Sequence, residues 1–305
     1  MDSTEPFDLE GVWVPIVTPF AASGAVDGAT LAHLGERLLN DGAKGLVALG
    51  TTGEPATLSA EERSHVVEIC SATCRAAGRA LIVGAGTNST QGTIDEITML
   101  NAAADIDAAL VVVPYYTRPS ERAIVEHFGL VADASPIPII MYNVPYRTGR
   151  ELNAASIIEL ATHDNIVGLK QSVGCIDRDT LEVLRHRLDD FAVLAGDDAF
   201  IVPTVLMGAK GAIAAAAHLC TPLFVEMVEA ALACNVHRAS RLAELLLPVV
   251  DSGFAEPNPS AWKGALHHTG ELPTDHLRRP MTTADANVVE DLITHAAAAN
   301  ASART

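Results

Sequence analysis

Only four lysines occur in the 305 residues, and one of them, Lys170, stands at the end of the apolar run "NIVGLK". Burying an ammonium without a purpose is costly, so a lysine at the mouth of a strand-like segment points to chemistry. An amine there can condense with a ketone to an imine. In water at pH 7 only roughly one lysine in 2,500 is neutral, and apolar surroundings penalise the ammonium and enlarge that fraction. Imine formation also moves protons to and from a carbinolamine oxygen, a task for a phenol such as Tyr142 backed by the Thr51 hydroxyl. The amides around Thr51 and Thr52, flanked by Gly50, form a cradle suited to the carboxylate of a keto acid.

Each segment also has an ordinary reading. "GTTGE" (50–54) is a tight turn, "YNVP" a strand end with its usual punctuation, Tyr115 and Tyr116 core aromatics, and Lys170 a lysine that snorkels to a rim. Their joint occurrence at the ends of several strands favours a site.

Eight short apolar runs must supply those strand ends: 12–20, 45–50, 81–86, 108–114, 137–143, 166–171, 191–196 and 211–217. They are continuous rather than alternating, the pattern of parallel strands covered on both faces. Helix-length amphipathic segments separate them. One opens with Ser59 and Glu62 in the spacing of a capping box. Strand–helix alternation repeated eight times predicts an α/β fold, a (β/α)8 TIM barrel, whose functional groups stand at the C-terminal ends of the strands. The predicted division is a frayed N-terminus over 1–11, a catalytic barrel over 12–220 and an appended helical region over 221–305. Strand two then delivers "GTTGE", strand four "PYYTRP", strand five "YNVPYRTG", strand six Lys170, strand seven "GDD" (196–198) and strand eight Ile213.

Composition narrows the function classes. A net charge of −18 argues against nucleic acid, whose phosphates need a basic face. No apolar run reaches the roughly 18 residues of a membrane span, and no secretory leader opens the chain, so a cytoplasmic protein is expected. Five irregularly spaced cysteines disfavour a disulfide framework. Cys70 and Cys74 share a helix face, but no further ligand follows at metal spacing, so core packing is expected and no metal. His267 and His268 read as isolated in a polar loop.

"GTTGE", "VVPYYTRPS", "YNVPYRTG", "GLKQ" and "AGDDA" resemble, in order and spacing, the dihydrodipicolinate synthase/N-acetylneuraminate lyase family of pyruvate-dependent class I aldolases. The likeness runs from about Val12 to "EPNPSAWKGAL" and "LRRPMT". It implies that Lys170 forms the imine with pyruvate, with no other cofactor, and that Tyr142 relays protons, linked by Thr51 to a second tyrosine. Tyr116 matches that tyrosine, which in the family reaches in from a neighbouring subunit, so a homotetramer built as a dimer of dimers is implied. Thr52 matches the hydroxyl that holds the pyruvate carboxylate, and Gly196 and Ile213 match backbone contacts to substrate. Arg147 matches the arginine that receives the carboxylate of L-aspartate 4-semialdehyde in the synthase branch, implying that condensation as the activity. Gln171-Ser172 and Pro55 depart from that branch. Ser172 leans towards the alternative, a pyruvate-forming aldolase or dehydratase acting on a sialic or 2-keto-3-deoxy sugar acid. A non-catalytic keto-acid-binding barrel is the remaining alternative. The feedback site for lysine in this family matches Tyr115 and Asn88. Its glutamate position falls on Gly92 and its histidine positions on Ala60 and Arg63, so lysine inhibition is not expected.

Overall fold

Runs of Val, Ile, Leu and Ala that are apolar on both faces are stable as a parallel sheet covered on both sides. In the computed structural model, which describes residues 7–188 and 190–303, eight of them close into a barrel in sequence order. They are β1 (Gly11–Val14), β2 (Gly45–Ala48), β3 (Ala80–Ala85), β4 (Ala108–Val112), β5 (Ile139–Asn143), β6 (Ile166–Gln171), β7 (Ala192–Ala195) and β8 (Gly211–Ile213). Two strands are much shorter than their apolar runs. The residue after β1 is Pro15, which has no amide hydrogen to donate, and Ile16, Val17 and Phe20 beyond it are buried in a loop. After β8, Ala214–Ala216 turn directly into a helix.

Around the barrel lie α1 (Gly28–Asn40), α2 (Ala60–Ala76), α3 (Thr90–Ala103), α4 (Glu121–Ala134), the short α5 (Pro145–Thr148), α6 (Ala154–Leu160), α7 (Arg178–His186), α8 (Ile201–Leu206) and α9 (Ala217–Leu232). Side-chain caps start many of them. Ser59 accepts from the Glu62 amide while the Glu62 carboxylate accepts from the Ser59 amide, the reciprocal box expected from the sequence. Then follow α10 (Val236–Gly253), α11 (Ser260–His268) and α12 (Ala286–Ser302).

Three expectations shift. First, α9 packs on β1 and β8 and is the eighth helix of the barrel, so the appended region starts with α10 rather than at residue 221. Second, the described part of the N-terminal stretch is packed: Leu9 is buried and its carbonyl accepts from Trp13 Nε1 at 3.0 Å, and Gly11 opens β1. Residues 1–6 lie outside the described residues. Third, His267 and His268 form the last turn of α11. Cys70 and Cys74 are buried in the main core, and burial pushes Cys74 up to about 12.

The barrel interior carries the logic of the site. Leu9, Trp13, Val47, Ile82, Leu110, Ile140, Leu194 and Ile213 fill it in layers. Side chains alternate along a strand, so residues two positions beyond an inward residue also face inward. Tyr142 follows Ile140, Gly196 follows Leu194, and Lys170 pairs in register with Tyr142 and Leu194. The apolar filling therefore ends in a polar top layer.

Candidate active site

Lys170 and Tyr142 are directly opposed residues on neighbouring strands, both buried. The lysine Nζ sits 4.4 Å from the centre of the tyrosine ring. Among the described residues the Lys170 side chain makes no hydrogen bond and no ion pair. Its amine is thus held by packing, with no carboxylate in contact among the described residues.

A cavity of about 350 Å³ opens above this pair, lined among others by Thr51, Thr52, Tyr142, Arg147, Lys170, Gly196 and Ile213. The sequence named all seven. Thr51 and Thr52 reach it on a 3-10 turn, Thr51–Gly53, that follows β2, and the cavity wall continues through Pro15. Arg147 stands on α5, its guanidinium 5.2 Å from the ring centre of Tyr146. Burial pushes the Tyr146 phenol up, with Tyr142 nearby adding to the rise and Arg147 opposing it. Gly196 has to be glycine here. A Cβ on it would lie 2.0 Å from Ser172 Oγ and 2.9 Å from two carbons of the Lys170 side chain, displacing the amine.

Two expected residues are not part of this wall. Gly50 lines an adjoining cavity of about 430 Å³ instead. Tyr116 is 88% exposed and lines neither cavity, with a positive φ of 68°. The adjoining cavity shares Thr51, Tyr142, Arg147 and Asn258 with the first and also holds Tyr115, Arg63 and Glu96. There Arg63 is ion-paired with Glu96, whose other oxygen accepts the Gly86 amide at 3.0 Å. The positive charge of Arg63 is therefore paired.

Several lining residues carried no assigned role in the sequence reading. Asp197 and Asp198 come from the "GDD" that follows β7. Asp198 is buried and accepts from the Ala216 amide at 2.9 Å. Burial pushes its carboxyl up to about 7, while that amide and the charge of Lys170 restrain the rise. Burial also raises Asp197, which accepts the Gly174 amide at 2.7 Å. Strand-end position was the available signal for both. Asp251, Phe254 and Asn258 come from the appended region, and nothing local marks them as neighbours of Lys170. Asn258 Nδ2 donates to Thr52 Oγ1 at 3.0 Å. Ser172 Oγ is buried beside Gly196 without a hydrogen-bond partner.

The layout combines an amine free of hydrogen bonds and ion pairs among the described residues, a phenol beside it, hydroxyls on a tight turn and a guanidinium. It can hold a keto acid at the amine and a second anionic reactant beyond it.

The family described as the dihydrodipicolinate synthetase family matches residues 8–299. The 4-hydroxy-tetrahydrodipicolinate synthase 2 of Clostridium acetobutylicum is 36% identical over 284 residues, covering 93% of this chain and 98% of that protein. The 4-hydroxy-tetrahydrodipicolinate synthase of Methanothrix thermoacetophila is 40% identical over 276 residues, covering 90% and 91%. Among solved structures, the chloride-inhibited dihydrodipicolinate synthase of Acinetobacter baumannii complexed with pyruvate superposes with a TM-score of 0.91 at 32% identity, covering 96% of this chain and 99% of that one.

Proposed function

The chain belongs to the dihydrodipicolinate synthetase family, and on that premise we propose that it condenses pyruvate with L-aspartate 4-semialdehyde to 4-hydroxy-tetrahydrodipicolinate, a step of lysine and diaminopimelate biosynthesis. The observation that carries the reading is the opposition of Lys170 and Tyr142 under a cavity that also presents Arg147.

Pyruvate loses its ketone oxygen as water and forms an imine on Lys170 Nζ. Tyr142, backed by Thr51, carries the protons that this exchange requires. The Thr51–Thr52 turn receives the pyruvate carboxylate. Loss of a methyl proton gives the enamine, whose carbon attacks the aldehyde. Arg147 holds the acceptor's carboxylate as a planar, charge-assisted pair. The acceptor's amine then displaces Lys170 by transimination and closes the ring, returning the free lysine. No cofactor beyond the covalent pyruvate takes part.

Self-association is part of the proposal. An exposed tyrosine in a left-handed conformation beside the shared cavities suits insertion into a second protomer, and a tetramer in a cytoplasmic setting is the assembly envisaged. The sugar-acid aldolase reading keeps one supporting feature, the buried unpartnered hydroxyl of Ser172. Turnover assays settle the choice: pyruvate with aspartate semialdehyde should give rapid condensation, and sialic or keto-deoxy sugar acids little or no pyruvate. The opposite ranking would overturn the assignment.

A further inference from the structure

We propose that Asp251, on the helix that the appended region lays over the cavity, receives the ammonium group of the acceptor and sets its preference for an amino-bearing over an amine-free semialdehyde. The inference rests on the function proposed above. Val250 and Asp251, in the last turn of α10, and Phe254, its C-cap, line the cavity, so the end of that helix forms part of the wall. That helix packs against the turn after β7 and against α8, whereas Arg147 stands over β5, two strands round the barrel. A carboxylate and an ammonium on one carbon atom are suited to bridge a guanidinium on one side of a cavity to an anion on the other.

The other carboxylates in the wall are already engaged. Asp197 accepts the Gly174 amide and Asp198 the Ala216 amide. Among the described residues, the Asp251 side chain has no hydrogen bond and no ion pair. A second acceptor stands in the same wall without a partner. Because Asn258 Nδ2 is committed to Thr52 Oγ1, its Oδ1 is the atom left over, and that oxygen is buried and unbonded. Asp251 is exposed in the cavity wall, so its carboxylate is open to a ligand, and an ammonium supplies both the N–H donors and the positive charge that suit it.

The test compares aspartate semialdehyde with succinic semialdehyde, which keeps the aldehyde and carboxylate but lacks the amine. Replacing Asp251 by Asn should raise KM for aspartate semialdehyde about ten- to a hundredfold, the effect of losing a charge-assisted hydrogen bond. KM for pyruvate should stay within about twofold of its original value, as should the inhibition constant of succinic semialdehyde. Asp251→Glu should restore most of the affinity. An unchanged KM for aspartate semialdehyde in D251N overturns the inference, and so does an equal loss for both aldehydes. Failure of the unaltered enzyme to condense aspartate semialdehyde, with the pyruvate adduct on Lys170 intact, overturns the proposed function and the inference together.

Discussion

Lys263 Nζ donates to Glu54 Oε1 at 2.7 Å, and both side chains are almost completely shielded from solvent. The pair joins α11 of the appended region to the residue that ends the Thr51–Gly53 turn. The same amine donates to the His276 carbonyl at 2.8 Å, and the Arg278 amide donates to the other Glu54 oxygen at 3.0 Å. Burial lowers Lys263, and Glu54 opposes the fall. The protein thus buries two lysines by different means: Lys263 with an anion in contact, Lys170 without one.

Removing one member of a buried pair leaves an uncompensated charge, at a cost of about 3–5 kcal/mol. Lys263→Met should therefore destabilise the fold by that order and lower the midpoint of a urea unfolding curve. Equal unfolding midpoints would show that Glu54 finds another partner.

Borohydride reduction in the presence of pyruvate should add one reduced pyruvyl group per chain. Peptide mapping should find it on Lys170 and leave Lys263 unmodified, since only the first opens on the cavity. An adduct elsewhere, or none, would exclude the imine mechanism. Lys170→Ala should abolish turnover and retain the fold.

Arg147→Ala should cut condensation about ten- to a hundredfold by removing the charge-assisted grip on the acceptor. Trapping of pyruvate on Lys170 should be unimpaired. Full activity with aspartate semialdehyde would place the acceptor's carboxylate somewhere else.

Millimolar L-lysine should leave the rate unchanged. Gly92 offers no carboxylate to the ligand's ammonium, and the nearby Glu96 is committed to Arg63 and the Gly86 amide. Titrating lysine into a continuous assay checks this, and half-inhibition below a millimolar would contradict it.

Acid should weaken the fold through two buried histidines. His218 Nε2 accepts the Val17 amide at 3.2 Å while Nδ1 faces the Ala215 carbonyl at 2.8 Å, a neutral ring's arrangement. Burial lowers both His218 and His127 from 6.5 to about 4. Between those values the unfolded chain binds a proton at each that the native chain refuses, so stability is lost as the pH drops, by roughly 1.4 kcal/mol per unit for each ring. Asp198 has the opposite sign. Raised from 3.8 to about 7, it binds its proton first in the native state and gains stability on acidification by the same slope. Asp197, also raised, acts in the same direction as Asp198. His127→Gln should reduce the loss of stability between pH 6.5 and 5 when denaturation is measured at both, and an unaltered loss would refute the assignment.

Local pattern and the strand–helix alternation were enough to determine the barrel, the cap at Ser59 and the lysine near the end of β6. A buried parallel strand is written in contiguous residues, and a barrel's functional groups stand at the C-terminal ends of its strands. That is why Lys170, Tyr142, Gly196 and Ile213 could be grouped from sequence. Contacts across the chain leave no such trace. Glu54 and Lys263 are 209 positions apart, and Thr52 and Asn258 are 206 apart. No periodicity links them, and "EPNPSAWKGAL" entered the sequence reading as part of the family likeness, with no role given to Asn258. Folding of the appended region over the barrel mouth decided that Asp251 and Asn258 share a cavity with Lys170. The outward display of Tyr116 was likewise set by the tertiary structure, through a left-handed turn after β4 that swings the ring into solvent.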